Sequence, residues 1–189
     1  MPALRNEIRE QAILEKISRL TVIDLENKSH FELLASTTEE LGELSRELKI
    51  HYKTYGNTYK KPDEGPKTEA IDLMICAYCH YYAVDPHSDG IGIFVPNETA
   101  IFAAHTVGEK KWAFDELAAA TMALGKLSEM LLYESEYIIF SGTQDCLDFQ
   151  ELTDELANKA TNIFSVLGGT YDELLDLLEH KLNKWEKVK

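Results

Sequence analysis

This chain is poor in the features that mark several large classes of protein. Its three cysteines, Cys76, Cys79 and Cys146, are too few for a disulfide framework, so a reduced cytoplasmic setting is the simplest expectation. No apolar run approaches the roughly 20 residues that span a bilayer. The opening "MPALRNEIREQAILEKISRL" has charges interrupting every apolar run, unlike a secretory signal. Basic residues are scarce: 19 Lys and Arg stand against 33 Asp and Glu, a formal net charge of −14. A nucleic-acid or anionic-membrane partner is therefore not expected, because both need a basic patch to replace counterions. A small anionic ligand stays open, provided metal ions and a few lysines screen the acids locally. Low-complexity tracts and flexible linkers are absent too, so residues 1–189 read as one packed domain.

What is present is helical patterning. Apolar residues make up 44% of the chain, enough for a folded core, and they recur at helical spacing almost throughout. The pattern predicts helices near residues 4–20, 28–54, 67–83, 112–140, 147–167 and 171–186, an all-α fold. "NTYKKPDEGP" (57–66) is a loop, since two prolines and a glycine break any helix there. Asp85 to Gly108 is the least helical part, and its "IGIFVPN" is read either as a short strand or as an extended connection. Cys76 and Cys79 form a C-x-x-C, yet "DLMICAYCHYY" reads as one buried helix. No second Cys pair or spaced His pair accompanies it to make a zinc or redox site.

The chain also repeats itself. "FELLASTTEELGELSREL" (31–48) and "FDELAAATMALGKLSEML" (114–131) align without a gap. Phe31, Leu34, Leu41, Gly42, Leu44, Ser45 and Leu48 meet identical residues at Phe114, Leu117, Leu124, Gly125, Leu127, Ser128 and Leu131. Leucine matches are common between amphipathic helices, but a shared glycine flanked by leucines and followed by serine is not. The reading is a tandem duplication: repeat one near 26–84, a connection at 85–111 and repeat two near 112–187. The acids do not repeat. Glu39, Glu40 and Glu43 face Met122, Ala123 and Lys126, so packing residues are kept while carboxylates are lost.

Those carboxylates form a pattern. Glu40 and Glu43 are three apart and share a helical face, and Glu69 and Asp72 repeat the spacing at the start of the next helix. There Ile71, Ile75, Tyr78 and Tyr82 make an apolar stripe beside the acids. Two neighbouring helices, each with a carboxylate pair, can gather oxygen ligands around hard cations. Mg²⁺ suits such a site, because it takes a few carboxylates, keeps waters and draws the rest from phosphates; Mn²⁺ is the natural substitute. The plainer reading is a solvated face, with Glu69 favoured near a helix start by the dipole.

"EELGEL" (39–44) followed by "EAID" (69–72) resembles the E-x-x-E … E-x-x-D signature of the all-α nucleoside triphosphate pyrophosphohydrolases, the superfamily of MazG-type enzymes and dimeric dUTPases. The similarity covers about 28–84, and 112–187 resembles the same helical unit with its motif eroded. Ala123 and Lys126 stand at its first pair, Glu155 and Asn158 at its second. The resemblance implies a MazG-like helical bundle of two repeats, the second degenerate. It further implies Mg²⁺ held by Glu40, Glu43, Glu69 and Asp72. The activity implied is water attack at the α-phosphorus of a nucleoside triphosphate, releasing monophosphate and pyrophosphate, in nucleotide-pool control or house-cleaning. Glu39 becomes a base or outer partner beside the ligands, with a surface role equally open. The family's habit of dimerising makes a homodimer an expectation.

A triphosphate also needs cationic contacts. Lys53, Lys60 and Lys61 lie after the first motif helix, and "HKLNKWEKVK" resembles the basic end of MazG-type proteins, which implies Lys181 and Lys184 as phosphate contacts. Lysines in a last helical turn also simply complement the dipole. Tyr52, Tyr55, Tyr78 and Trp112 are candidates to stack on a base. His51, His80, His87 and His105 have no spacing that suits zinc, and "DPHSDG" (85–90) lacks the distal glutamate of a calcium loop. From a different class, the alternative is a non-catalytic helical adaptor that retains the fold and binds a partner through its acidic face.

Overall fold

A computed structural model describes residues 2–54, 65–87, 92–137 and 143–188, the side chains of 2–4, 133–137 and 143–147 excepted. The described residues form seven helices and no strand: α1 (Pro2–Leu25), α2 (His30–His51), α3 (Pro66–Val84), α4 (Glu98–Val107), α5 (Glu109–Tyr137), α6 (Thr143–Val166) and α7 (Tyr171–Glu186). None of them is long and apolar enough to cross a membrane.

Local chemistry sets the helix starts. Ser29 and Glu32 close a capping box at α2: the Glu32 N–H reaches Ser29 Oγ at 3.3 Å, and the Ser29 N–H reaches Glu32 Oε2 at 2.7 Å. Gly65 precedes α3 at φ 92°, a left-handed backbone that side chains resist, with Pro66 already holding a helical φ. Asn97 caps α4 by accepting the Thr99 N–H at 2.8 Å, and Thr170 caps α7 through Glu173.

Packing then closes a ring. α2 lies against α3, α3 against α6, α6 against α5 and α5 against α2. α1 and α7 cover α3 and each other, while α4 lies on α5 and α6. The leucines shared by the two matched segments do the same work in each: Leu41, Leu44 and Leu48 are buried, as are Leu124, Leu127 and Leu131. Each such leucine contributes about 1.5–3 kcal/mol on burial. The Thr38 and Thr121 hydroxyls each donate to the carbonyl four residues back, Leu34 at 2.9 Å and Leu117 at 2.8 Å.

Three expectations change. α3 has no single apolar stripe: Leu73, Met74, Ala77 and His80 are as buried as Ile71 and Tyr78, because four helices surround it. α1 continues past residue 20 to Leu25 despite β-branched Thr21, Val22 and Ile23. Buried Leu20 and Thr21 anchor that turn, and the Thr21 hydroxyl donates to Ile17 O at 2.8 Å. The connection at 85–111 contains α4, which the Asn97 cap nucleates, with Gly108 (φ 94°) separating it from an α5 that begins at Glu109. Residues 92–97 are extended connection: the Ile93 N–H donates to Glu10 Oε1 at 2.8 Å and the Phe94 N–H to the Tyr78 hydroxyl at 3.1 Å, so no strand partner is used.

Candidate metal and phosphate site

Glu40 and Glu43 project from α2 toward Glu69 on α3, and one carboxylate oxygen of each lies within 4.8 Å of the other two. Glu69 is only 4% exposed, whereas Glu40 and Glu43 are half-buried. Crowding three anions in partly dehydrated surroundings raises the cost of ionising them. Burial pushes the Glu40 carboxyl up to about 7, aided by the charges of Asp72, Glu43 and Glu39 and opposed by Lys181. Glu69 is also raised to about 7, by burial first and then by Asp72, Glu43 and Glu40. At neutral pH the cluster therefore holds protons that a divalent cation would displace.

Asp72 stands beside the trio, one turn beyond Glu69, and is engaged by a cation of the protein. Lys181 Nζ on α7 donates to Asp72 Oδ2 at 2.6 Å, with side-chain exposures of 13% and 20%. Arg46 lies 3.9 Å from Glu43 Oε1, an ion pair too long for a hydrogen bond, and its Nε donates to Glu47 Oε1 at 3.3 Å. Glu47 is 1% exposed, and its other oxygen has no hydrogen-bond partner among the described residues.

All of these groups except Glu47 line a cavity of about 530 Å³, within the range of small-ligand sites. Asp24, Glu40, Glu43, Glu69 and Asp72 supply its anionic lining; Lys28, Arg46, Lys181 and Lys184 supply cations. Leu25, Leu33, Ile75 and Trp185 make an apolar wall. α7 brings three of these groups together because Lys181, Lys184 and Trp185 follow three- and four-residue spacing, beside buried Leu178 and Leu182. α7 is held on α1 by Arg9, which reaches Asp176 at 2.7 Å and Glu179 at 2.9 Å, and by Lys16, 2.6 Å from Glu186.

The other sequence candidates fall elsewhere. Glu39 is exposed, about 100° around α2 from Glu40, and outside the cavity lining; it acts on Glu40 only through charge. Lys53 is exposed just past α2 at φ 51° and does not line the cavity. Lys60, Lys61 and Tyr55 lie outside the described residues. Tyr52 packs on Phe114, and the Tyr78 hydroxyl serves the 92–97 connection, so neither they nor Trp112 line the cavity. The aromatic ring that does line it is Trp185. At the positions matched to the acidic pairs, Ala123 is buried at 1% exposure, Lys126 is exposed, and Glu155 and Asn158 are half-buried.

Sequence reasoning passed over Arg46 and Lys28. Arg46 carried a signal, three residues after Glu43 on the same face; Lys28, between helices, carried none. Cys76 and Cys79 line the cavity as free thiols, raised by burial, Cys79 to about 11, so they are poor nucleophiles. His80 is fully buried. Its Nε2 lies 2.9 Å from the Thr37 hydroxyl, which already donates to Leu33 O at 2.8 Å, so His80 is the donor. Burial, and then His30, pushes its pKa down to about 4, a neutral packing residue. "DPHSDG" is described only to His87, whose N–H donates to Asp85 Oδ1 at 3.1 Å. Comparison with protein-family models, curated proteins and solved structures finds no significant match to this chain.

Proposed function

We propose that this protein is a Mg²⁺-dependent nucleoside triphosphate pyrophosphohydrolase resembling the MazG type, converting a triphosphate and water to a monophosphate and pyrophosphate. The observation that carries the reading is the convergence of Glu40, Glu43 and Glu69 within 4.8 Å on the wall of a cavity also lined by lysines. Those three carboxylates, with Asp72 beside them, would hold the ion, and oxygen ligands of this kind suit Mg²⁺ or Mn²⁺. The ion's chemistry there is to neutralise phosphate charge and acidify the attacking water. The chain's own part is to orient: Lys181 and Lys184 face phosphate oxygens, and Trp185 with Leu33 and Ile75 offers an apolar wall for a base.

The alternative, an adaptor using the acids as a surface, is less well supported. A surface role gains nothing from burying Glu69 or from raising two carboxyls to about 7, both of which destabilise the ionised protein unless a cation returns the energy. The closed ring of α2, α3, α6 and α5 and the matched burial of their leucines favour the duplication, with the second repeat as scaffold.

The deciding experiment is incubation with a panel of nucleoside triphosphates and Mg²⁺, followed by pyrophosphate detection. Cleavage of at least one nucleotide is expected, with a loss of about 10²-fold or more in Glu43→Gln, as for removal of other charge-stabilising groups. No cleavage anywhere, and no effect of the substitution, would end the enzymatic reading.

A further inference from the structure

The bond between Lys181 and Asp72 has a consequence for how the site fills. Asp72 is the fourth acid of the motif, yet it lies outside the close trio and is held at 2.6 Å by an ammonium group. Both side chains are mostly buried, so this is a charge-assisted bond formed away from bulk water. The charge of Asp72 nonetheless acts on both Glu40 and Glu69, which places it within electrostatic reach of the trio. A divalent ion entering among these acids meets Lys181 as a competitor for the Asp72 carboxylate and as a like charge nearby.

We propose that Lys181 is the built-in counter-ion of this site: its ammonium neutralises Asp72 until a divalent ion binds, then leaves that carboxylate and contacts the phosphate of the ligand. The inference rests on the pyrophosphohydrolase reading for its phosphate and on the structure for its bond. Lysine suits the exchange because its ammonium is a compact charge on a flexible four-carbon stem, able to swing between oxygens without a fixed fork geometry. No helix has to move. α7 is fastened by Arg9, Lys16 and the Lys67–Glu173 pair at 2.9 Å, and by Leu174, Leu175, Leu178 and Leu182, so the rearrangement is confined to one side chain. Lys184, one turn further, lines the same cavity and supplies a second positive group. The outcome is positive coupling between metal and phosphate, and linkage requires it to act equally in both directions.

The test titrates Mn²⁺ into the full chain, read by electron paramagnetic resonance, with and without inorganic pyrophosphate. Lys184→Met measures the general effect of deleting a nearby positive charge, expected to tighten Mn²⁺ about twofold. Lys181→Met should tighten it roughly tenfold without pyrophosphate, and should lose most of the tightening that pyrophosphate brings to the unsubstituted protein. Lys181→Arg, which keeps the charge, should stay near the unsubstituted affinity. If Lys181→Met fails to fold by circular dichroism, Lys181→Gln gives the same readings. Equal effects of Lys181→Met and Lys184→Met, weaker Mn²⁺ binding in Lys181→Met, or intact coupling without Lys181 each overturn the proposal. Absence of Mn²⁺ binding to the unsubstituted chain overturns it together with the metal site. Coupling that behaves as described, with no nucleotide cleaved, upholds the counter-ion role and removes only the hydrolytic reading.

Discussion

Replacing Glu69 with glutamine should make the metal-free protein more stable at alkaline pH, the reverse of what deleting a buried charged contact normally does. Glu69 is 4% exposed, and its carboxyl is raised from 4.5 to about 7 by burial and by Asp72, Glu43 and Glu40. A folded pKa above the unfolded one means the native state holds the extra proton. The stability linked to that proton is complete below about 4.5 and is lost as pH rises through about 7. Full ionisation of a carboxyl displaced this far costs about 3 kcal/mol. Glu40 shares the same neighbours, and a buried glutamine amide needs partners of its own, so the net gain at pH 8 is about 1–2 kcal/mol. In a chain of this size that is roughly 3–6 °C in melting temperature. Thermal unfolding in EDTA from pH 5 to 8.5 measures it: Glu69→Gln should melt above the unsubstituted protein at pH 8, and the gap should close toward pH 5. Adding Mg²⁺ should reverse the order, since only the intact trio is stabilised by binding. A gap that is absent at pH 8, or equally large at pH 5, refutes the account of crowded carboxylates.

Thr37→Val keeps the shape of a fully buried side chain but leaves the Nε2–H of His80 without its acceptor. Urea unfolding should show a loss of about 1–3 kcal/mol. Gly169→Ala would place a methyl group 2.1 Å from Cε1 of Phe164, a ring with no exposure and little freedom to retreat. The expected loss is about 1–3 kcal/mol, read as a lower urea midpoint with an unchanged slope. Ser29→Ala removes the capping box at the start of α2 and should cost about 1 kcal/mol by the same measurement, without altering metal affinity.

Much of the architecture was legible because it is local. The 3.6-residue rhythm and the proline and glycine break at 57–66 place α2 and α3 with no knowledge of their neighbours. α4 was missed since a ten-residue helix after a proline carries too few turns to stand out, and its Asn97 cap is a signal of one side chain. The end of α1 was missed because three β-branched residues weaken helical propensity there, and only burial against the core overrides it. At the site, Glu39 shows where spacing misleads: it neighbours Glu40 in the chain, yet a step of one along a helix turns a side chain away from the face its neighbour uses.

The sequence by itself determined that Glu40 and Glu43 share one face and Glu69 and Asp72 another, because three-residue spacing on a helix leaves no other arrangement. It also determined that the matched segment 114–131 carries no such pair, since Ala123 and Lys126 stand where Glu40 and Glu43 do. Only the tertiary structure decided that the two acidic faces meet, that Glu69 rather than Asp72 completes the close trio, and that Lys181 reaches Asp72 from a helix more than a hundred residues away. It alone placed Lys28, Arg46 and Trp185 on the cavity wall. The reason is physical: spacing along a helix sets the direction of a side chain, but the distance between helices comes from how their leucines pack, and charges separated along the chain interact only after that packing has dehydrated the space between them.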